Sequence, residues 1–470
     1  MIRFGLSFLL TIFLLTGNIL GQSIHEEEPS FSVEQLKNDL QYLRKNIEDK
    51  HPNLYLYTSK KELDIVFDSL LNGITKPLTT LEFYRHITVI SSIIKDGHTI
   101  ILPGSKTTTY YNKNSRFLPY HFVILNNRLF ADMVCTGDNS IMEGAEILSI
   151  NNVGSGEIIK QLCCRQVRDG NNQTYPTWIL SSYFREYYSY IFGHPNQFII
   201  TYKQNDKTET ATVDACFKDS INYYRQLKYP DKSNQRKPNE GLQFRVTPDN
   251  SFATLTIKDF HKEILKKEYH QDFEEEISRY FEELNKKGTA NLILDLRDNQ
   301  GGDITYGAFL LSYLLDKEFT IVQDYFKVDK SKTDFQLTKT NGEAAGIHKT
   351  KDAVFKGNLF VLINGGSFSN SGIVSSCLKR YNRAIFIGEE TGGNNKVLAG
   401  YTDDRFLPNS GIQIQIPTRQ FLLDGSSPLS GHGTIPDYPL QSEITSILSN
   451  KDKVMSFAID LIEKKKGSAH

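Results

Sequence analysis

The chain has 470 residues, 39% of them apolar and 23% charged, and 54 Lys and Arg against 55 Asp and Glu leave a formal net charge of −1. That length is more than one hydrophobic core usually serves, so about two to four domains are expected. The near-neutral balance gives no drive toward nucleic acid or an anionic membrane surface, and the most basic stretch, HKEILKKEYH at 261–270, alternates with acid and reads as a solvated helix face.

Residues 1–22 open with one basic residue, Arg3, run through an apolar core from Phe8 to Leu15 and close on small and polar residues. This is the pattern of a secretory signal peptide, cut near Gly21 to Ser23. Its core is short for a membrane span, and Gly17 and Asn18 interrupt it. The expectation is an exported chain, periplasmic or extracellular, with no stable span after cleavage.

Residues 30–112 read as helical. Leu36, Leu40, Leu43 and Ile47 share one helical face; a second helix runs from a Ser59 cap to Gly73; a third starts at Thr79 or Thr80, repeats Phe83, Ile87 and Ile90, and ends at Gly97. Residues 115–216 change to strands. HFVILNNRLFADMV is two strands about an Asn-Asn turn, GAEILSINNVGSGEIIKQLCC is a strand, a turn and a short helix, and NQFIITYKQNDKTETATVD is a hairpin. Residues 217–242 are polar with scattered proline and read as a linker.

From 243 to 445 short apolar strands alternate with helices: FATLTI, a helix over 261–287, NLILDLR, a helix over 306–315, NLFVLI, a helix over 372–381, and AIFIG. That is an α/β sheet covered on both faces. GIQIQIPTRQF adds a later strand, and 446–470 close with a helix. The five cysteines, Cys135, Cys163, Cys164, Cys216 and Cys377, form no disulfide framework and no CxxC pair for zinc, although one disulfide among the first four stays open. No metal and no cofactor are expected.

Two segments carry chemistry. In LILDLRDNQGGD, Leu292 to Asp303, a buried strand ends in charged residues and Gly301-Gly302, where backbone N–H groups can approach a ligand closely. In NGGSFSNSG, Asn364 to Gly372, three alternating serines sit at a strand-to-helix junction, where a helix N-terminus stabilises negative charge. Alone, the first is a tight turn and the second a capped helix start. The GxSxG elbow of α/β-hydrolases is not met.

Together with RAIFIGEETGG at 383–393, these segments resemble the tail-specific or C-terminal-processing serine peptidases, in the branch related to the tricorn protease core. GAEILSINNV looks like part of a PDZ domain. The resemblance implies a multidomain α/β fold: an N-terminal helical cap at 30–112 carrying His98, a PDZ-like domain at 115–216, and a catalytic sheet of the ClpP/crotonase type at 243–445. It implies an exported serine endopeptidase acting on polypeptide, with Ser369 as nucleophile and an oxyanion hole from the backbone N–H of Asn370 with that of Gly301 or Gly302. Asp295, Arg297 and Asn299 would brace the loop. The PDZ-like domain would capture a C-terminal carboxylate by strand addition or gate the site.

The base is the point of departure. The best-known relatives place a lysine after Gly-Glu-Pro-Thr-x-Gly; here GEETGGNN puts Asn394 there, and an amide cannot take the serine proton. The tricorn-like branch takes a histidine from an earlier domain, and IKDGHTIIL at 94–102 supplies His98, whose ordinary pKa near ~6.5 suits the task. Lys396, two residues past Asn394, is the alternative base. The orienting partner stays open among Asp96, Glu389, Glu390 and His432, because Gly97 stands where the branch has a serine and Ser430 where it has a glutamate. These departures leave a second reading: a member without turnover that keeps a peptide- or lipid-binding groove.

Overall fold

The computed structural model describes residues 28–232, 236–424 and 431–467. The signal peptide expected at residues 1–22 and Ser430 lie outside them.

Helices α1 (Val33–Lys50) and α2 (Lys60–Gly73) each begin in a capping box, Ser32 with Gln35 and Ser59 with Glu62, and α1 buries Leu36, Leu40, Leu43 and Ile47 as their spacing requires. The third expected helix is two, α3 (Thr80–Ile87) and α4 (Ile90–Ile94). The chain leaves α4 through Lys95 in the left-handed region, φ 58°, and this turn releases Asp96-Gly97-His98 from the helix. Strand β1 (Ile100–Leu102) then pairs antiparallel with residues 413–415, Ile101 opposite Ile414. The helical core continues into Leu407, Ile412, Ile414 and Ile416. Residues 30–112 and the C-terminal half therefore share one core, and no physical boundary divides them where a separate cap is expected.

After α5 (Ser105–Asn114) comes an antiparallel sheet in the order β2 (Tyr120–Leu125), β3 (Arg128–Val134), β4 (Glu146–Ile150), β5 (Gln197–Gln204), β6 (Lys207–Asp214). Helix α6 (Ser155–Cys163) follows β4 as expected. Helix α7 (Thr174–Phe192) is not foreseen, because TYPTWILSSYFREYYSYIF is aromatic along most of its length and has no clean apolar stripe. It lies along the outer edge of β2. Ser181 Oγ accepts the Ile124 N–H at 3.0 Å, and Arg185 Nη2 donates to the Tyr120 carbonyl at 3.2 Å.

The expected linker at 217–242 is largely structured. Residues 218–228 form helix α8 (Lys218–Lys228), and Ile221 is buried with Phe117, Met133 and Cys135. One apolar residue in a polar helix anchors it, a signal too sparse to read as periodicity.

The third region is a sheet in the order β7 (Leu242–Val246), β8 (Ala253–Ile257), β9 (Asn291–Asp295), then the strands at 358–363, 385–388 and 438–439. Only the β7–β8 pair is antiparallel. The helix expected over 261–287 is broken into α9 (Lys262–Lys267) and α10 (Phe273–Lys287), because His270 adopts φ 55° and Asp272 caps a new start. Helix α11 (Ile304–Leu314) follows β9. Strands β10 (Asp324–Val328) and β11 (Leu337–Thr340) precede β12 (Asn358–Ile363), α12 (Asn370–Arg380) and β13 (Ile385–Gly388). The long hairpin β14 (Val397–Phe406) and β15 (Gln413–Leu422) forms a further sheet with β10, β11 and β1. After β16 (Tyr438–Pro439) and α13 (Ile444–Leu448), α14 (Lys453–Gly467) packs Val454, Ala458 and Ile462 on Ile293, Phe360, Leu362 and Ile387. Residues 446–470 are thus no separate unit: α14 covers one face of the central sheet, and the helices before it cover the other.

Candidate active site

Strand β12 delivers Asn364 to Phe368 to the N-terminus of α12, and Ser369 sits at the junction with φ 51° and ψ −123°. A side chain in that region costs about 1–3 kcal/mol and persists only where its surroundings impose it. Ser369 is the N-cap residue, yet its hydroxyl makes no capping bond. The flanking serines do not cap either. Ser367 Oγ donates to the Leu296 carbonyl at 2.8 Å and accepts the Asn364 N–H at 3.1 Å, while Ser371 Oγ lies 3.5 Å from the same carbonyl. Both are fully buried and tie the turn to the end of β9.

Gly301 faces that turn at φ 96°; a Cβ there would lie 2.7 Å from both the Asn370 nitrogen and Ser369 Cβ. Its N–H, however, is donated to Asn299 Oδ1 at 2.8 Å. Asn370 is the first residue of α12, so its N–H has no acceptor inside the helix. Arg297 bridges Asp295 and Asp452, and Asn299 Nδ2 donates to the Ile257 carbonyl at 2.7 Å. These residues hold the loop from behind.

His98 Nε2 lies 3.1 Å from Ser369 Oγ. Its ring packs on Phe368, centroids 4.6 Å apart, and the His98 backbone N–H is donated to Asp96 Oδ1 at 2.9 Å. Burial holds the imidazole pKa below its ordinary value; Asp96 pulls the other way and His51 adds to the depression. Nδ1 is buried and accepts or donates no hydrogen bond among the described residues. Burial works to raise the Asp96 carboxyl, but His51 and His98 hold it below the usual range. His51 Nδ1 accepts the Asn53 N–H at 3.0 Å, so its proton sits on Nε2, 2.7 Å from Thr99 Oγ1; Thr99 in turn donates to Asp96 Oδ1 at 3.0 Å.

None of the other candidates reaches the His98 ring. Asp96 bonds the backbone and Thr99. Glu390 Oε1 accepts from Gly433 N–H at 2.8 Å and lies 3.1 Å from His432 Nδ1. Glu389 is raised by burial, and its backbone N–H is donated to the Ile363 carbonyl. Lys396 Nζ is paired with Asp424 at 3.1 Å, so the alternative base is engaged away from Ser369. Asn394, in the place of the relatives' lysine, is buried; its side chain donates to Tyr57 Oη and accepts the Lys396 N–H at 2.8 Å.

Sequence reasoning misses Asp169, in a run (DGNNQT, 169–174) whose composition says only turn. Its carboxylate accepts Gly97 N–H at 2.7 Å on Oδ1 and Asn394 N–H at 3.0 Å on Oδ2. Burial, then the nearby Asp96, pushes its pKa up to about 7. It also misses the aromatic wall: Tyr175 stacks on Phe368 with centroids 4.1 Å apart, and Trp178 Nε1 donates to Asp298 Oδ1 at 2.7 Å.

All five cysteines are free thiols. Among the described residues no three His, Cys, Asp or Glu side chains gather as metal ligands, and no helix is long and apolar enough to cross a membrane.

Residues 251–440 match the profile of peptidase family S41. The match covers about two fifths of the chain and takes in both the serine turn and the Gly301-Gly302 loop. A probable CtpA-like serine protease of Staphylococcus saprophyticus is 28% identical over 171 residues, 36% of this chain and 32% of that protein. A carboxyl-terminal-processing protease of Synechocystis is 28% identical over 198 residues, 42% of each chain. The matches thus span well under half the length of these relatives. Beyond the S41 domain, the crystal structure of mature CPAF superposes over 92% of this chain and 98% of that one, with a TM-score of 0.66 at 14% identity. At that identity the likeness speaks for a shared multidomain α/β fold.

Proposed function

We propose that the chain is an exported serine endopeptidase in which Ser369 is the nucleophile and His98 the general base. The observation that carries this reading is the 3.1 Å contact between His98 Nε2 and Ser369 Oγ. Nε2 takes the hydroxyl proton as Oγ attacks a peptide carbonyl, and the imidazolium returns it to the leaving amine; water then repeats the sequence on the acyl-enzyme. The tetrahedral oxyanion is met by the Asn370 N–H at the N-terminus of α12, where the helix dipole adds to its field, and by the Gly302 N–H from the loop before α11, since the Gly301 N–H is engaged by Asn299. For Nε2 to accept, the ring proton must sit on Nδ1, which has no acceptor among the described residues. None of these residues gives the imidazolium the carboxylate that usually orients it, and turnover is expected to be slow for a serine peptidase. The same observation favours the second reading, a peptide-binding member with little turnover.

Residues 30–112 supply His98 from helices that share a core with the C-terminal half, and 115–216 act as a PDZ-like unit beside a catalytic sheet of the ClpP/crotonase type. The β2 edge of that unit does not take a substrate C-terminus as an added strand, because α7 already satisfies backbone groups there.

The test is fluorophosphonate labelling and peptide hydrolysis by the wild-type protein beside Ser369→Ala and His98→Ala. Labelling at Ser369, loss of labelling and hydrolysis in Ser369→Ala, and a fall of several orders of magnitude to a residual rate in His98→Ala are expected. Labelling of Ser367 or Ser371, or an active His98→Ala protein, overturns the assignment; a folded wild type that neither labels nor cleaves supports the binding reading.

A further inference from the structure

His98 and Ser369 belong to segments that fold far apart in sequence, and a hydrogen bond between them requires two independent loops to be held in register. On one side the loop is Asp96-Gly97-His98, just outside α4. On the other it is the turn Gly392-Gly393-Asn394, which lies against the start of α12: a Cβ on Gly393 would stand 3.4 Å from the Ser369 nitrogen. The segment 169–174, between α6 and α7, lies between them and bonds to both. Gly170 N–H is donated to the Lys95 carbonyl at 2.9 Å, Asn172 Nδ2 to the Thr391 carbonyl at 2.9 Å, and Thr174 Oγ1 to the Glu390 carbonyl at 2.9 Å.

Within this segment one side chain touches both loops at once. Asp169 Oδ1 accepts the N–H of Gly97, the residue before His98, and Oδ2 accepts the N–H of Asn394. The carboxylate is 4% exposed, which makes an ionised or protonated group costly unless its acceptor capacity is used. We propose that Asp169 is a positioning residue, a carboxylate clamp that sets the His98 loop against the Ser369 turn and so fixes the Nε2–Oγ distance. It touches neither substrate nor the reacting atoms. It also stands where a second function is missing: among the described residues His98 Nδ1 has no hydrogen-bond partner, and there the placement of the ring rests on its backbone and on Phe368. A misplacement of about 1 Å in such a pair costs on the order of 10²-fold in rate.

The inference rests on the His98–Ser369 reading. It is tested with Asp169→Asn in the full chain. The amide keeps the size but offers one acceptor oxygen and turns an NH₂ donor against the second backbone N–H. The other stitches of 169–174 remain, so the variant is expected to fold, with a thermal midpoint near that of the wild type. Its kcat should fall roughly 10²-fold with KM little changed. In a His98→Ala background the same substitution should cost no further activity beyond about twofold, since a residue that acts through His98 has nothing left to position. An Asp169→Asn protein with wild-type kcat overturns the proposal. So does a loss of the same factor with and without His98, which is the mark of a merely structural role. If Asp169→Asn does not fold, Asp169→Ser, which can accept from one N–H only, carries the same comparison. Failure of the underlying reading is separable: His98→Ala alone would then keep full activity whatever Asp169 does.

Discussion

His98 Nε2 and Ser369 Oγ lie 3.1 Å apart although 271 positions of sequence separate them. Activity through this pair needs the neutral imidazole, whose pKa is held below its ordinary value by burial. Asp169 takes its proton earlier, near 7, with Asp96 and Tyr57 as its charged or ionisable neighbours. On lowering the pH, kcat/KM is therefore expected to fall in two steps. A first, shallow step near 7 marks the loss of one acceptor from the Asp169 clamp; a second, below the usual histidine value of ~6.5, marks imidazolium formation. A pH–rate profile of the wild type and of Asp169→Asn checks this: the variant should lack the first step. A single ionisation above 7 in both would point to another base.

Stability should move the opposite way. The Asp169 pKa is raised from 3.8 to about 7 in the folded chain. Above 7 both states are ionised and the fold carries the cost of the buried charge. Between about 7 and 3.8 only the folded state binds the proton, so this group makes the fold more stable as pH falls through that window. Urea unfolding across pH 4–8 should show this slope in the wild type, reduced in Asp169→Asn.

The backbone of Ser369 predicts a difference between two inactive variants. At φ 51° glycine is at ease and alanine is not. Ser369→Gly should unfold about 1 kcal/mol later than Ser369→Ala, with both unable to hydrolyse peptide. Equal midpoints would mean the turn relaxes once the hydroxyl is gone.

The neighbours of Ser369 should cost stability, each according to its bonds. Ser367→Ala loses two buried hydrogen bonds to Leu296 and Asn364, about 1–3 kcal/mol. Ser371→Ala loses only a 3.5 Å contact and should cost less than about 1 kcal/mol. Denaturant midpoints measure both, and fluorophosphonate labelling of Ser369 should survive in each. Lys396→Met breaks the ion pair with Asp424 and should lower stability while keeping kcat; a dead Lys396→Met enzyme would restore the lysine as base.

Substrates with a free and an amidated C-terminus should bind alike. Ser181 and Arg185 occupy the β2 edge where an incoming strand would pair. Competition assays with matched acid and amide peptides test it, and a clear preference for the acid would mean that α7 yields its place.

The central sheet is legible in the sequence because its strands are short apolar runs followed within a few residues by a glycine pair, as in β9 and β12. The serine turn and His98 are legible because each sits in a short motif. Helix α7 and the clamp are not. The first is aromatic all along its length, and the second depends on one aspartate in a turn-like run whose role exists only once three distant loops meet. Asn394 is an intermediate case: its identity says that no lysine is there, but not that its backbone N–H is the group in use. The linker at 217–242 is misread because a single buried Ile221 secures α8.

Strand β1 enters the far sheet beside Ile414 only after the polypeptide has been made almost to its end. A ribosome-bound chain thus holds His98 before its strand partner exists, and later the serine turn before its neighbours have closed. The contact between His98 and Ser369 can form only at the final stage of biosynthesis.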